Sequence, residues 1–221
     1  MTNKKLLLLL CGAIVLLGFA FGVYGHFKQK NESLNRLASE NNAVFNRTHS
    51  PTYGPATAKV RIVEFFDPAC ETCRAFYPLV KRMVDGYGGK VQLVLRYVPF
   101  HEGSDVAVKI LEAARLQDER FFWPVTETVL GAQPAWAAHG NPSPEHIWEF
   151  LGKTGLDVAK ARQDVNRPSI QAVIDQDMAD AKTLRVTKTP GFFVNGRPLV
   201  DFGHEQLRQL VDEEVRRAYA Q

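Results

Sequence analysis

Two cysteines three positions apart, Cys70 and Cys73, lie where a predicted strand passes into a predicted helix. Residues 60–66 are β-branched and aromatic, which is typical of a buried strand. Residues 67–69 (Asp-Pro-Ala) end the strand, and apolar residues at helical spacing follow at 74–84. Cysteines at positions i and i+3 in the first turn of a helix face the same side and can form a disulfide. Because the free N–H groups and dipole of that turn stabilise a thiolate, the pair predicts thiol–disulfide exchange.

A second motif lies far downstream, at residues 186–198. Its sequence predicts a loop, then Pro190, a short strand, an Asn-Gly turn and a second strand. A strand, a CxxC pair at the start of a helix and a later Thr-Pro hairpin resemble the thioredoxin superfamily. The resemblance implies that the bond from Thr189 to Pro190 is cis and that its loop faces the cysteines. It also implies that Glu64, six residues before the first cysteine, is a buried acid beneath the second.

The spacing between the two motifs narrows the resemblance to one branch. Cys70 and Pro190 are 120 positions apart, and the sequence between them is largely helical. This arrangement resembles the DsbA family, as do the residues at 63–70 and the Phe-Trp pair at 122–123. The resemblance implies an α/β thioredoxin-like fold with an inserted α-helical domain.

The motifs and the composition together give a domain prediction. Hydrophobic residues make up 45% of the chain and charged residues 23%, which is ordinary for a globular protein with a hydrophobic core. We predict a short basic N-terminus at 1–5, an apolar anchor or signal peptide at 6–25, a linker at 26–50 and a DsbA-like domain at 51–221. Within that domain the helical insertion is predicted at about 102–184.

Periodicity and capping residues predict the remaining elements. A strand is predicted at 90–98, and helices at 104–117, 119–130, 144–152, 156–164, 168–184 and 203–219. Ser104 or Asp105 is the predicted cap of the first of these helices. The polar segment 133–144, which contains glycine and proline, is predicted to be a loop.

The N-terminus predicts a membrane segment. Lys4 and Lys5 precede the run 6–24, about 19 residues without a charge, which is long enough to span a bilayer as a helix. A cleaved signal peptide is the alternative, although 20–22 (Ala-Phe-Gly) is a poor cleavage site. We favour an uncleaved anchor. Cys11, inside the run, is predicted to be a lone buried thiol.

Cysteine usage indicates the compartment. Outside the apolar run only Cys70 and Cys73 remain, so the domain has no cysteines for a structural disulfide. Their chemistry suits an oxidising compartment. The DsbA resemblance implies a domain in the bacterial periplasm, exported protein thiols as substrates and a possible DsbB-like partner in the inner membrane. The net charge of +3, with acids and bases interspersed, predicts no nucleic-acid partner, and no cofactor is predicted.

The segment before the domain, residues 31–49, has two interpretations. Residues at helical spacing, Leu34, Leu37, Asn41 and Val44, could form a short amphipathic helix. A solvated tether is the favoured prediction.

The motifs and the resemblance together assign roles to individual residues. A substrate thiolate attacks the exposed sulfur of Cys70, and Cys73 leaves or later resolves the mixed disulfide. Glu64 shuttles a proton, and the loop at 189–190 pairs with extended substrate backbone. The predicted catalytic residues are Cys70, Cys73, Glu64 and Pro190, and the predicted substrate-binding residues are Thr189, Glu71 and Thr72.

The two residues between the cysteines bear on the direction of exchange. The DsbA enzymes that the chain resembles carry Pro-His there, whereas this chain has Glu71 and Thr72. A negative charge at Glu71 is expected to raise the pKa of Cys70 relative to that pattern, which weakens the disulfide as an oxidant. Thr189 is polar, as in isomerase-like relatives. We predict an oxidase, with a reductase or isomerase as the alternative.

A copper- or zinc-binding module is the third hypothesis, since a CxxC pair can be half of a metal site. Zinc needs four ligands, commonly including a second pair of cysteines or histidines. Four of the histidines are scattered singly, without ligand spacing, at His101, His139, His146 and His204. Each is predicted to be structural or to lie on the surface, and no metal site is predicted.

Overall fold

The computed structural model describes residues 2–220, and the side chains of 2, 3 and 5–10 lie outside that description. The described residues form five strands: Thr52–Tyr53 (β1), Val60–Phe66 (β2), Val91–Tyr97 (β3), Gly191–Val194 (β4) and Arg197–Pro198 (β5). They make one sheet in the order β1-β3-β2-β4-β5. Strands β2 and β3 are parallel, and the other neighbours are antiparallel. The predicted α/β class is confirmed.

Helices surround this sheet. In the described part of the chain they are Thr2–Glu40 (α1), Glu71–Gly86 (α2), Ser104–Gln117 (α3), Phe122–Gly131 (α4), Gln133–Trp136 (α5), Ile147–Phe150 (α6), Val158–Asp164 (α7), Pro168–Thr183 (α8) and His204–Tyr219 (α9). Helices α3 to α8 lie between β3 and β4, where the sequence predicts a helical insertion. Helix α2 follows β2 directly, so the strand–CxxC–helix prediction is confirmed.

The alternation of side chains along β2 sets the position of the site. Ile62 and Phe66 pack in the core that includes α2, whereas Val63 and Phe65 pack in a second core on the other face of the sheet. Successive strand side chains point to opposite faces, so Glu64 shares the face of Ile62 and Phe66. A carboxyl group is thereby buried under the helix that carries the cysteine pair.

The start of α3 differs from its prediction. Gly103, at a φ of 76°, occupies the cap position instead of Ser104 or Asp105. The Ser104 hydroxyl donates instead to the carboxylate of Asp67, which is fully buried beside the active-site loop. A side chain committed to a distant partner cannot also cap its own helix.

Two predictions within the insertion are also wrong. The segment 133–144, predicted as a loop, begins with the short helix α5. This helix forms because Trp136 is fully buried and its indole N–H donates to the carbonyl oxygen of Val129 at 2.9 Å. The helix predicted at 144–152 is divided into α6 and two flanking 3₁₀ turns.

Residues 38–50 pack against the domain, so the predicted solvated tether is wrong for this part of the chain. Helix α1 continues to Glu40, and beyond it Val44 and Phe45 are buried against the second core. Arg47 then forms an ion pair with Asp180 of α8 at 2.8 Å. Apolar burial and charge together hold the segment in place.

Arg47→Ala is expected to destabilise the domain by about 1 kcal/mol, because Arg47 donates two hydrogen bonds to a nearly buried carboxylate. The loss stays modest because buried Arg96 still pairs with Asp180. Urea unfolding of the full chain measures it. Arg120→Ala removes an exposed pair with Asp118 and is the control, with an expected change below about 0.5 kcal/mol. Equal values for both variants would show that Arg47 does not fasten the segment.

The N-terminal helix α1 is long and apolar enough to cross a membrane, judged by length and composition. A signal sequence passes the same test, so the choice between anchor and signal peptide stays a prediction. Cys11 is exposed on this helix, and its burial within a membrane stays a prediction.

Candidate active site

Cys70 and Cys73 lie at the junction of β2 and α2. Cys70 precedes the first residue of α2 in an extended conformation, and Cys73 lies in the first turn. Both thiols are free, so the structure shows the reduced form. Cys70 is 5% exposed and Cys73 is fully buried. The prediction of an exposed Cys70 sulfur is wrong, because the loop before β4 and the helical insertion both lie against this residue.

Thr189 and Pro190 form the loop that faces the cysteines. The peptide bond between them is cis, as predicted. Strand β4 follows directly and pairs with β2, which brings the loop to the start of α2. The thiol of Cys70 donates to the carbonyl oxygen of Thr189 at 3.3 Å. The predicted contact between the two motifs is confirmed, whereas substrate binding by Thr189 and Pro190 stays a prediction.

The two thiols have opposite pKa shifts. A hydrogen bond from Cys73 contributes most to lowering the pKa of Cys70 to about 5, with help from the side chain of Thr189 and from the backbone N–H groups of Cys73 and Thr72. Burial opposes this shift but does not cancel it. The pKa of Cys73 is raised well above its usual value, chiefly by burial. At neutral pH the reduced site therefore holds a thiolate on Cys70 and a thiol on Cys73, as expected at a helix N-terminus.

Glu64 lies in the same environment, fully buried on the α2 side of β2. Neither carboxyl oxygen has a hydrogen-bond partner among the described residues. Burial first, and the charge of Cys70 second, raise the pKa of Glu64 to about 8. The charge of Glu64 in turn contributes to the raised pKa of Cys73. A carboxyl group with these neighbours can hold or release a proton near neutral pH.

Glu71 and Thr72 are exposed at the start of α2. The Glu71 carboxylate lies 2.8 Å from Nε2 of His139, a residue of the insertion. The backbone N–H of Glu71, and after it His139, lower the pKa of this carboxyl group. The Glu71 carboxyl group therefore stays ionised beside Cys70, with a histidine from a distant segment as its partner.

His101 is a second histidine at this site. It lies in the loop after β3, and its Nδ1 is 2.7 Å from the buried carboxylate of Asp67. The backbone N–H groups of Phe100 and His101 donate to the same carboxylate at 2.8 Å and 3.0 Å. The rings of His101 and His139 are 6.3 Å apart between centroids. Neither histidine is predicted from the sequence to lie at this site, because histidines were weighed there only as possible metal ligands.

Gln133 of α5 also reaches the site and was missed. Its side-chain amide donates to the carbonyl oxygens of Pro68 at 2.8 Å and of Cys70 at 3.1 Å. The insertion thereby supports the loop that leads into α2. No motif marks this residue in the sequence, since it lies in a segment predicted to be a loop.

A groove of about 560 Å³ runs beside the cis-proline loop. Thr72, Pro190 and Phe202 are among the residues that line it, together with Lys30 and Leu34 of α1. An extended peptide in this groove would contact the loop that faces the cysteines.

Thiol–disulfide exchange is the chemistry that these groups support. The Cys70 thiolate can attack a disulfide or leave from one. Cys73 supplies the second thiol of the exchange, beside the carboxyl group of Glu64. Within residues 2–220, allowing for the side chains left undescribed, no group of three or more His, Cys, Asp or Glu side chains could hold a metal ion. By fold and chemistry the protein is a thiol–disulfide oxidoreductase with a DsbA-like fold.

Comparison with known proteins gives the family. The thioredoxin family model matches residues 46–213, and the chain belongs to that family. The probable disulfide bond formation protein D of Bacillus anthracis is 26% identical over 195 residues, which cover 83% of this chain and 87% of the relative. The thiol-disulfide exchange protein α-DsbA2 of Wolbachia pipientis superposes with a TM-score of 0.71 at 20% identity, covering 84% and 97% of the two chains. This last likeness shows the fold.

A further relative is much longer than this chain. The Na⁺/H⁺ antiporter NhaA of Herminiimonas arsenicoxydans is 30% identical over 146 residues, which cover 66% of this chain and 22% of the antiporter. The chain thus spans about a fifth of that relative's length. The similarity concerns one segment of the antiporter.

Proposed function

We propose that this protein introduces disulfides into exported proteins, using the Cys70–Cys73 disulfide as the oxidant. The observation that carries the proposal is the position of Cys70 at the N-terminus of α2, where hydrogen bonds, chiefly from Cys73, lower its pKa to about 5 in the reduced form. Whatever stabilises the reduced form of a CxxC pair makes its disulfide easier to reduce, and therefore more oxidising. The charge of Glu71, which favours the opposite direction, is held in a contact with His139.

The proposed reaction has two exchange steps. A substrate thiolate attacks the sulfur of Cys70, the disulfide breaks, and its electron pair passes to Cys73, which takes a proton from Glu64. A second substrate thiolate then attacks the substrate sulfur of the mixed disulfide and expels Cys70 as a thiolate. Two electrons pass to the protein. Of the two protons that the substrate thiols release, one restores Glu64, which gave its proton to Cys73, and the other goes to solvent.

The substrates are proposed to be extended segments of exported proteins that carry free thiols. The groove beside Pro190 supports this, because it is open along the loop that faces the cysteines. Thr189, Pro190, Glu71 and Thr72 are the proposed contacts. The name of the Bacillus anthracis relative, a disulfide bond formation protein, agrees with this substrate class.

The protein is further proposed to act in the periplasm while anchored in the bacterial inner membrane by α1. Helix α1 is apolar and long enough for this. Each turnover leaves the cysteine pair reduced, so an acceptor of two electrons is needed. A DsbB-like membrane protein is the proposed acceptor.

The test is the reduction potential of the full chain in detergent, with Cys11→Ser to leave only the active-site thiols, equilibrated in glutathione buffers. A potential near or above about −150 mV is expected for a disulfide donor. A potential near about −250 mV or lower would overturn the proposal in favour of a reductase or isomerase. Copper or zinc retained by the reduced protein after dialysis would instead support the metal-binding hypothesis.

A further inference from the structure

Two histidines from separate loops flank the start of α2. His101 follows β3, and His139 follows α5 in the insertion. Asp67 connects His101 to the active-site loop, because one of its carboxyl oxygens contacts His101 Nδ1 at 2.7 Å and the other accepts the Ala69 N–H at 2.9 Å. The imidazole is therefore fixed relative to the residue that precedes Cys70.

Several negative groups lie close to His101. Asp67 comes from the loop after β2, Glu71 and the Cys70 thiolate come from the start of α2, and exposed Glu102 is its neighbour in sequence. Beside them lies the ring of His139, which contacts Glu71. Three negative groups thus meet at one helix N-terminus in the reduced protein, and a positive partner there stabilises the thiolate.

The titration of His101 agrees with this geometry. Burial lowers the pKa of His101, but the hydrogen bond and charge of Asp67, and the charges of Cys70 and Glu71, outweigh it and raise the pKa above its usual 6.5. Hydrogen bonds dominate the pKa of Cys70 itself. The contribution of the histidine is therefore expected to be smaller than theirs, and it can be removed separately.

We propose that His101, oriented by Asp67, is the positive partner of the Cys70 thiolate, while His139 holds the Glu71 carboxylate, so that imidazole protonation tunes the reduction potential of the cysteine pair. Reduction of the disulfide consumes two electrons and one proton, which goes to Cys73, when Cys70 remains a thiolate. If His101 takes up a proton at the same time, the reaction consumes up to two protons. The inference needs only thiol–disulfide exchange, and it holds whether the protein oxidises or reduces its substrates.

The first test uses the unaltered full chain in detergent micelles, with its six histidines isotope-labelled for NMR. If the thiolate stabilises the imidazolium, the imidazolium stabilises the thiolate by the same free energy. The pKa of His101 is therefore expected to be higher in the reduced protein than in the oxidised protein. An identical pKa in both redox states would overturn the proposal, and this result does not depend on the folding of any variant.

The second test compares His101→Gln and His139→Gln with His146→Gln, an exposed histidine of the insertion that serves as the control. His101→Gln is expected to raise the pKa of Cys70 by about half to one unit, read from thiolate absorbance near 240 nm. The equilibrium constant with glutathione should shift by the same factor of about three to ten, equivalent to about 15–30 mV. His139→Gln should shift the pKa of Cys70 and the equilibrium constant with glutathione in the same directions as His101→Gln, because it frees the Glu71 carboxylate.

A charge-restoring variant separates electrostatics from structure. His101→Lys should return the pKa of Cys70 toward its original value and should remove the part of the pH dependence that follows imidazole titration. Circular dichroism confirms that each variant is folded. The proposal is overturned if His101→Gln matches the His146→Gln control, or if His101→Lys behaves like His101→Gln.

Discussion

Cys73→Ala is expected to reduce turnover by about a thousandfold or more, because the variant has no second thiol to complete the exchange. Cys70 can still attack a disulfide, so covalent mixed disulfides with substrates should accumulate. The pKa of Cys70 is also expected to rise, because the hydrogen bond from Cys73 is the largest cause of its lowered value. Turnover is measured by oxidation of a dithiol peptide, and the trapped species by mass spectrometry.

Cys73→Ser is the matched variant for this experiment. It also lacks the second thiol, so it should lose turnover equally, but its hydroxyl group can still donate to the Cys70 sulfur. Titration of thiolate absorbance should therefore give a lower pKa for Cys70 in Cys73→Ser than in Cys73→Ala. Equal values in the two variants would show that the Cys73 hydrogen bond does not set the pKa. Turnover retained by Cys73→Ala would show that exchange needs one cysteine only.

The part of the site that the sequence predicts correctly is local or comes from the family resemblance. The β-branched run before Cys70 and the helical periodicity after Cys73 fix the strand–helix junction by short-range signals alone. The contact with Thr189 is long-range, and only the resemblance supplied it. Boundaries within the insertion were less predictable, because short helices such as α5 depend on the burial of one side chain, Trp136, that periodicity cannot reveal.

His101 could have been found by a topological argument. Strands β2 and β3 are parallel and in register, with Phe66 opposite Tyr97. Cys70 lies four residues after Phe66, and His101 lies four residues after Tyr97. Both residues therefore follow strands that end at the same edge of the sheet. The parallel pairing of the two strands is needed to place His101 there, and the motifs alone do not supply it. His139 gives no such signal, since the packing of the insertion brings it to the site.

The packing of residues 38–50 against the domain could not be predicted from the sequence, because their partners lie far along the chain. Arg47 pairs with Asp180, which is 133 positions away, and buried Arg96 pairs with the same carboxylate. In the sequence, each of these three residues is indistinguishable from an ordinary surface charge. Only folding brings the opposite charges together. Val44 and Phe45 were similarly ambiguous, because two apolar residues in a polar stretch are compatible with a solvated tether.

Glu64→Gln is expected to slow thiol–disulfide exchange at neutral pH about a hundredfold, because the amide cannot pass a proton to or from Cys73. The potential of the cysteine pair should change less than the rate, since the proton carrier is lost but both thiols remain. Stopped-flow mixing with a dithiol peptide measures the rate. Glu149→Gln, which changes an exposed carboxyl group, is the control and should keep the original rate. Equal rates for both variants would remove Glu64 from the reaction.

The same substitution should also change how stability depends on pH. Burial raises the pKa of Glu64 from 4.5 to about 8, so between these values the folded protein holds a proton that the unfolded chain has released. Stability due to this group is present below pH 4.5 and is lost as the pH rises through 8, by about 3 kcal/mol or more. Urea unfolding of the oxidised protein, in which the cysteines do not titrate, isolates this effect. The original protein should lose stability relative to Glu64→Gln from pH 5 to pH 9, and parallel curves would mean that Glu64 ionises normally in the folded state.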